Sequence, residues 1–243
     1  MIPKTAHILF EHQIVWKSKR ILNRLHHKWY HIIQSAIKAG RTLEIGGGSG
    51  NFKEYFPDAI SSDILFAEWL DAVLDAHHLP FGDETFDNII LFDVLHHLQD
   101  PGSFFSHAER VLKHGGRIIM MEPNISLGSF IVYRFFHFEG MSWHINPLKP
   151  VSGCKEKKPF HGNQAIPTLI FKKYKHLFDD KFPHLKIIRK EPMDPVIYPL
   201  SGGFHHPSLC PPFLYGVLEH IEKLLRPMNR FLGFRLFVVL EKI

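Results

Sequence analysis

Short apolar runs along the chain alternate with stretches of helical spacing. Residues 86–94 form an apolar run typical of a parallel strand buried on both faces. The shorter runs at 41–45 and 117–122 also predict strands. The segments 58–64 and 72–76 predict two further short strands between the runs at 41–45 and 86–94. Five strands in this order predict a sheet of mainly parallel type.

A helix is predicted between the last two of these strands. Asp100 and Pro101 supply an N-cap and a first helical residue, the helix runs to Lys113, and Gly115 with Gly116 is expected to end it. Strand and helix in this alternation predict an α/β fold, a Rossmann-like, doubly wound and mainly parallel sheet. Ligands in such sheets bind at the carboxyl ends of the strands.

The rhythm changes after Glu122. Residues 126–138, 167–178 and 213–225 look helical, whereas 139–163 is rich in breakers and predicts a loop. Two more strands are expected at the positions 185–191 and 233–243, the last one antiparallel. We therefore expect a core at 41–243 that contains a helical cap or insertion within 123–212.

The first forty residues form a separate unit in this interpretation. Apolar residues from Ile14 to Ile37 recur near helical spacing and predict an amphipathic helix, so that residues 1–40 are expected to form a helical lid. Seven positive charges and no acidic residue lie between Glu11 and Glu44, although the net charge of the chain is only +5. The basic side of this helix is either a solvated surface or attracts an anionic membrane surface or an acidic substrate. Nucleic acid is not expected as a partner, because no reading motif accompanies the charge.

Cysteine content and hydropathy indicate a reducing compartment. The two cysteines, Cys154 and Cys210, are far apart and have no neighbouring cysteines at ligand spacing, which argues against a disulfide framework. No run of eighteen apolar residues occurs, and the first twenty residues lack the features of a signal peptide. A cytoplasmic protein that is not exported is therefore expected.

The stretch "LEIGGGSGNF" at 43–52 is the strongest candidate for a ligand site. Glycines allow a ligand or a neighbouring segment to approach the backbone closely. The G-x-G-x-x-G fingerprint fails because Asn51 stands where its last glycine is required, and no Gly-Lys-Ser/Thr follows as in a Walker loop. What remains is E-x-G-x-G-x-G from Glu44 to Gly50, with Asp63 and Asp75 ending the next two strands.

That ordered set resembles the class I S-adenosylmethionine-dependent methyltransferases. The segments "DVLHHLQDP" and "VLKHGGRIIMMEP" are similar to those of the type 11 group of small-molecule enzymes, and the resemblance covers about residues 41–123. It implies S-adenosylmethionine as cofactor and S-adenosylhomocysteine as product. The links from Gly50 to Asp63 and from Asp63 to Asp75 are shorter than a helical crossover usually needs.

The resemblance also implies roles for individual residues. The glycine amides would meet the methionine carboxylate, Glu44 the ammonium side and Asp63 the ribose hydroxyls, while the end of the fourth strand would line the position of methyl transfer. Ile64 would pack on the adenine, and Asp75 with the amide of the next residue would bind its edge. The cofactor set is Glu44, Gly46, Gly47, Gly48, Gly50, Asp63, Ile64, Asp75, Ala76, Phe92 and Asp93.

A base is needed if the acceptor is a hydroxyl. His96 and His97, just beyond the fourth strand, are the best-placed candidates, with structural packing as the alternative. The other histidine pairs do not have the spacing of a zinc motif, so no metal is expected.

The acceptor is inferred from the aromatic content of the cap. The six aromatic residues of the cap can roof an apolar pocket, or they can equally serve core packing; they are Phe130, Tyr133, Phe135, Phe136, Phe138 and Trp143. A small or lipid-like organic acceptor is favoured over protein or nucleic acid, and no stable protein partner is inferred. Two alternatives stay open: a catalytically silent binding or scaffold module with the same fold, and a nicotinamide-dependent oxidoreductase.

Overall fold

A seven-stranded sheet crosses the centre of the computed structural model, which describes residues 4–135, 140–149 and 161–243. The strand order is β3-β2-β1-β4-β5-β7-β6. Neighbours from β3 to β5 pair in parallel, and β7 pairs antiparallel with both β5 and β6. The predicted fold, a mainly parallel sheet with an antiparallel last strand, is confirmed. The strands are β1 (Thr42–Ile45), β2 (Ile60–Asp63), β3 (Ala72–Val73), β4 (Phe86–Phe92), β5 (Leu112–Pro123), β6 (Leu185–Met193) and β7 (Arg235–Lys242).

Helices surround the sheet. They are α1 (Lys4–Ser18), α2 (Arg20–Gln34), α3 (Pro101–Val111), α4 (Leu127–Phe135), α5 (Ile166–Thr168), α6 (Lys175–Lys181), α7 (Ile197–Ser201), α8 (Tyr215–Leu225) and α9 (Asn229–Leu232). Short 3₁₀ turns cover Phe52–Glu54, Leu95–His97, Pro212–Leu214 and Arg226–Met228. Among the described residues, no helix has both the length and the apolar character needed to cross a membrane. Phe136, Phe138 and Cys154 lie outside the described residues.

The central strands are apolar throughout because both faces of the sheet are covered. Ile89 and Ile118 point into a core shared with α3, whereas the adjacent residues Ile90 and Ile119 belong to a second core, shared with α2. Successive side chains of a strand point to opposite faces. The continuous apolar runs of the sequence therefore reflect two cores rather than one.

The glycines after α3 have a different role from the predicted one. The helix ends at Val111 and β5 begins at Leu112, so the prediction that Gly115 and Gly116 end the helix is wrong. Gly115 has φ of +75°, and the register between β4 and β5 shifts in this region. Because glycine tolerates positive φ, it accommodates an irregularity within the strand.

Two predicted helices are interrupted. The amphipathic stripe at the N-terminus is divided at Lys19, whose ψ of 93° is extended, into α1 and α2. Only α2 buries a broad face, with Trp29 and Ile33 among its buried residues. The helix expected over 167–178 changes to a π-turn at Leu169–Lys173 before α6.

The two short links near the glycine loop carry little regular structure. Residues 46–59 contain only one 3₁₀ turn, and 64–71 contain no helix before the two-residue strand β3. This edge of the sheet is therefore left without the helices that usually cover parallel strands. The segment 123–212, expected to be a cap or insertion, provides α4 to α7 but also contributes β6 to the sheet. The division into lid, core and cap stays a prediction.

A buried polar cluster connects α2 with α7 and α8. Asp194, which is fully buried with φ of +56°, accepts hydrogen bonds from Lys28 and from the indole of Trp29. Glu222 on α8 also pairs with Lys28, at 3.1 Å, and accepts the amide of Ile197 at the start of α7. Three helices that are distant in sequence thus share one network of charges.

Removing the acid at the centre of this cluster is expected to destabilise the fold. Asp194→Ala leaves Lys28 and the Trp29 indole short of a partner and should lower the free energy of unfolding by about 3 kcal/mol. Asp194→Asn keeps an acceptor and a residue type that tolerates positive φ, so its loss should be smaller. Urea denaturation measures both.

Asp83→Ala is the matched control, because Asp83 pairs with Arg110 on the surface and its side chain is 75% exposed. A loss near zero is expected there. Equal losses for Asp83→Ala and Asp194→Ala would contradict the structural role of the buried cluster.

Candidate active site

A cavity of about 2120 Å³ opens at the carboxyl ends of β1, β2 and β4. This is where ligands bind in open parallel sheets. All residues of the predicted cofactor set border it except Gly50, and so do His96 and His97. The structure therefore brings together in one cavity residues that the sequence places over more than fifty positions.

The glycine loop after β1 is shaped by contacts with its neighbours. Gly46 has φ of +75°, and a Cβ there would lie 2.2 Å from Val94 Cγ2; one at Gly50 would lie 2.5 Å from Trp69 Cδ1. A Cβ at Gly48 would meet only the carbonyl oxygen of Gly46, at 3.8 Å. Gly46 and Gly50 thus allow close packing of the loop, whereas Gly48 leaves an open cradle on the cavity wall.

Asp63 at the end of β2 braces this loop. Its carboxylate accepts hydrogen bonds from the amides of Gly48, at 3.0 Å, and Leu65, at 2.9 Å. The amide of Gly47 donates to the carbonyl of Ser62 at 2.8 Å. Two of the glycine amides that the resemblance assigns to the methionine carboxylate therefore donate within the protein here, and their cofactor role stays a prediction.

Glu44 is a buried acid beneath the same loop. It is 3% exposed and accepts a hydrogen bond from the hydroxyl of Ser61. Burial raises its pKa to about 7, and the negative charge of Asp63 acts in the same direction against the hydrogen bond from Ser61. A cationic ligand group would favour the charged form of this carboxylate.

The residues expected to bind the adenine lie in the link after β3 and in the link after β2. Asp75 accepts the amide of His77 at 2.9 Å and lies 2.7 Å from its Nδ1. Ala76 is buried, and Ile64, on the opposite link, is 50% exposed where it borders the cavity. One carboxylate and two apolar residues thus surround this end of the cavity.

Beyond β4 the cavity is lined by aromatic rings around a buried cation. Arg235 is 1% exposed, and its Nη1 lies 2.7 Å from Asp93 Oδ1. Its guanidinium lies 4.8 Å from the ring centre of Trp29 and 5.1 Å from that of Tyr198. Burial raises the pKa of Asp93, and the charge of Arg235 opposes that shift. We call this part of the cavity, lined by Trp29, Phe92 and Tyr198 around Arg235, the aromatic chamber. Its chemistry differs from that of the half beside the glycine loop.

The turn after β4 places His96 on a carboxylate. Glu122 at the end of β5 is fully buried, and its Oε1 accepts the amides of Val94 and Leu95, at 2.9 and 2.8 Å. Its Oε2 lies 2.8 Å from His96 Nδ1. A proton on Nδ1 leaves Nε2 as the basic nitrogen of the ring, which is the arrangement of a base oriented by a third group. The ring of His97 lies 4.1 Å from that of His96.

The side chains of Asp93, His96 and Glu122 are of the types that bind metal ions. Ligand atoms of Asp93, His96 and Glu122 lie within 4.8 Å of one another. Within the described ranges, however, these atoms already serve other groups, because Glu122 accepts two amides and Asp93 pairs with Arg235. The arrangement fits an oriented histidine better than a cation site.

Helix α1 lies over the cavity. Ile8, Leu9 and His12 border it, and the side-chain amide of Gln13 donates to the carbonyl of Ser49 in the glycine loop at 3.0 Å. Lys19 donates to the carbonyl of Gly203 at 2.6 Å. Helix α2 also borders the cavity, through Leu22, His26, Trp29 and Tyr30. The lid expected for residues 1–40 stays a prediction.

The positive charges of the N-terminal segment have partners within the protein. Lys28 belongs to the buried cluster with Asp194, Lys38 lies 3.2 Å from Glu241, and Arg24 lies 4.0 Å from the ring centre of Tyr215. Lys19 also contacts a distant carbonyl, Lys17 lies 3.8 Å from Glu54, and Arg41 lies 5.4 Å from the ring centre of Phe86, so six of the seven cations contact other parts of the chain. The basic surface predicted from the sequence is smaller in the folded protein.

Several site residues were not predicted from the sequence. Glu122 could have been found by the rule that selected Asp63, because it too is an acid at the carboxyl end of a buried strand. Arg235, Tyr198 and Trp69 gave no such signal. Arg235 lies on β7, Tyr198 on α7 and Trp69 in the link between β2 and β3, and the sequence pattern does not reveal the neighbours of these segments.

Comparisons with known proteins agree with this geometry. Residues 43–120 match the family described as methyltransferase domain. An uncharacterized protein of Methanocaldococcus jannaschii is 34% identical over 118 residues, which cover 45% of this chain and 53% of that protein. The ubiquinone/menaquinone biosynthesis C-methyltransferase UbiE of Idiomarina loihiensis is 28% identical over 142 residues, covering 47% and 57%.

A solved structure extends the likeness to nearly the whole chain. The structure of a SAM-dependent methyltransferase from Archaeoglobus fulgidus has a TM-score of 0.53 and 18% identity, and covers 97% of this chain and 99% of that one. The family match shows a methyltransferase domain at residues 43–120, in agreement with the recognition and with the enzyme class and S-adenosylmethionine cofactor that it implies. The likeness to the solved structure confirms the fold. The chain spans about half the length of the curated relatives it matches, so the activity of the whole protein is a proposal.

We predict that cofactor affinity depends on the ionisation of Glu44. S-adenosylhomocysteine carries the same ammonium group as the cofactor and should favour the Glu44 carboxylate, so binding below pH 7 should release a proton. Its affinity should then fall by about tenfold per pH unit below 7. Calorimetric titration in buffers of different ionisation enthalpy measures both quantities.

Glu44→Gln should remove this pH dependence, and Asp83→Asn, a surface change, should retain it. If the affinity of Glu44→Gln for S-adenosylhomocysteine kept the same dependence on pH, another residue would have to bind the ammonium group.

Proposed function

We propose that this chain, which carries a class I S-adenosylmethionine-dependent methyltransferase domain, transfers a methyl group to a lipid-like organic acceptor bound in the aromatic chamber. The observation that carries the proposal is a single cavity with two chemically different halves. Acids and glycines surround one half, and Trp29, Tyr198 and Phe92 line the other beyond β4. Asp93, which follows β4 and pairs with Arg235, also borders the cavity.

The size of the cavity supports two occupants. Pockets for single small ligands usually measure about 300 to 1,000 Å³. The volume of about 2120 Å³ exceeds that range, so a nucleoside cofactor leaves room for an acceptor of comparable size. The aromatic walls favour an apolar or ring-bearing molecule over a charged one.

The residues present fit the cofactor. Gly48 leaves open space beside the loop, and Glu44, Asp63 and Asp75 offer carboxylates to an ammonium, to ribose hydroxyls and to an exocyclic amine. When bound, S-adenosylmethionine supplies an electrophilic methyl group on a sulfonium, and S-adenosylhomocysteine is the product. The protein then has to orient the acceptor, exclude water and manage one proton.

The names of relatives suggest the kind of acceptor. UbiE proteins are named as C-methyltransferases of ubiquinone and menaquinone biosynthesis. Ubiquinone and menaquinone are compounds that combine a quinone ring with an apolar tail. A chamber walled by Trp29 and Tyr198 accommodates a ring, and its apolar remainder can hold a tail. We therefore propose a phenol or quinol with an apolar substituent as the acceptor class.

His96 is the proposed base. Its Nε2 takes the hydroxyl proton of the acceptor, and the charge of the resulting imidazolium is stabilised by Glu122, 2.8 Å from Nδ1. The deprotonated ring would then attack the methyl group that bound S-adenosylmethionine supplies. The hydrogen on the attacked ring carbon would leave as a proton and the imidazolium of His96 would return its proton to the oxygen, so that one proton is released overall. Glu122 acts through His96 and is a positioning residue.

The alternative is a catalytically silent module that binds the cofactor without transfer. The oriented His96 and the chamber next to it favour an enzyme, because a binding module needs neither.

Contact with an anionic membrane was one of the alternatives for the basic N-terminal segment. The pairing of its charges within the protein leaves fewer of them for that role.

The first test separates the cofactor classes. Calorimetry should detect binding of S-adenosylhomocysteine and none of NAD, and Asp63→Ala should weaken binding because Asp63 holds both the loop and the expected ribose site. Labelled S-adenosylmethionine should then methylate a short-chain isoprenoid quinol that lacks one ring methyl group. Binding without transfer to any phenol or quinol would favour the silent module, and preference for NAD would refute the proposal.

The second test addresses the base. His96→Asn should lower kcat by about 100-fold or more while the affinity for S-adenosylhomocysteine is retained. Glu122→Gln keeps an acceptor for the two amides but donates to Nδ1, which forces the wrong tautomer and should lower kcat as well. His97→Asn is the matched control, with less than about tenfold loss expected. A larger loss in His97→Asn than in His96→Asn would reverse the assignment.

A further inference from the structure

Helix α4 is built with its apolar side outward. Leu127, Ile131 and Phe135 are 73%, 56% and 71% exposed, and Phe130 is 40% exposed. Residues three and four apart share one side of a helix, so these four side chains form one stripe. The opposite side carries Ser129 and Tyr133, which are buried.

The segment packed against α4 extends this stripe. A Cβ at Gly128 would lie 3.4 Å from Leu232, so α4 and α9 are in close contact. Met228 and Phe231 beside it are 48% and 46% exposed. We call these six residues the apolar cap face: Leu127, Phe130, Ile131, Phe135, Met228 and Phe231. Apolar surfaces of this kind mark interaction sites.

The two segments that carry the apolar cap face have charges of one sign. Residues 123–135 contain Arg134 and no acid, and 223–234 contain three cations and no acid. Arg134 lies 5.8 Å from the ring centre of Phe135, and Arg230 lies 5.3 Å from that of Phe231. The partner is therefore expected to be apolar and anionic.

The apolar cap face also continues into the cavity. Phe135 belongs to this face and also borders the cavity. Val132 and Tyr133 of the same helix, which are not part of the face, border the cavity too. A molecule that leaves an apolar phase at this face can reach the aromatic chamber along α4. A second copy of the chain would not offer such a route, and two such faces would bring like charges together.

We propose that the apolar cap face docks the protein on an anionic lipid bilayer, from which the acceptor enters the cavity along α4. The choice of acceptor rests on the proposed function. The docking surface lies on the cap rather than on the N-terminal helix, whose lysines contact the protein itself. Apolar side chains flanked by arginine are the pattern of segments that lie in the membrane interface.

Vesicle flotation tests the proposal with the whole protein. Vesicles of phosphatidylcholine mixed with phosphatidylglycerol should bind the protein, and binding should weaken at high salt or without the anionic lipid. Leu127→Glu combined with Ile131→Glu should lower the affinity by about 30-fold, because two apolar contacts are lost and negative charge is added. Neither residue borders the cavity, so the affinity for S-adenosylhomocysteine should not change.

Leu177→Glu is the matched control, an exposed leucine on α6 whose replacement should leave vesicle binding unchanged. Arg134→Gln with Arg230→Gln should lower binding to anionic vesicles by about 25-fold, at about fivefold per charge, and leave binding to phosphatidylcholine vesicles nearly unchanged.

Absence of vesicle binding by the wild type, or equal binding by the Leu127/Ile131 variant, would overturn the proposal. So would a dimer in sedimentation experiments that this variant converts to a monomer, because a second copy would then cover the face. Methylation of a detergent-dispersed acceptor is measured separately, so its failure would refute the proposed function and not the docking.

Discussion

The carboxylate of Glu122 is the group on which the centre of the site depends. It is fully buried at the end of β5 and would be costly to leave unpaired there. Two backbone amides of the turn after β4 and the ring of His96 satisfy it, and these bonds fix the turn. Val94 in this turn fills the space beside Gly46, so that the shape of the glycine loop follows from the same arrangement. One acid thereby joins the ends of three strands.

Arg235 has a comparable effect on the acceptor side. Burial of a cation costs solvation, and a buried ion pair is often no more stable than apolar residues of similar size. The pairing with Asp93 and the surrounding rings of Trp29 and Tyr198 offset that cost. We interpret the retained charge as part of the chamber rather than as a source of stability. It keeps Asp93 in place at the boundary between the two halves of the cavity.

Large apolar residues are buried in the sheet but exposed on helix α4 of the cap. Ile89 and Ile90 in β4 are both buried because helices cover both faces of the sheet. In α4, by contrast, Ser129 is buried and Ile131 is exposed. The hydroxyls of Ser129 and Tyr133 donate to the carbonyls of Asn124 and Phe234, and these bonds hold the polar side of α4 inward. The large apolar groups are thereby left outside, where the proposed bilayer would cover them.

The sequence by itself determined the sheet, the glycine loop and the row of acids from Glu44 to Asp75, because these features depend on local periodicity and on the rule that parallel strands end at one edge. It also placed His96 at the site. The contacts of His96 with Glu122 and of Asp93 with Arg235 were decided by the tertiary structure, since they depend on which strands become neighbours. The same holds for the N-terminal charges: their number is a property of the sequence, whereas their pairing with Asp194 or Glu241 requires the folded chain. Local patterns fix what each segment can form, and only the packing of distant segments fixes which groups meet.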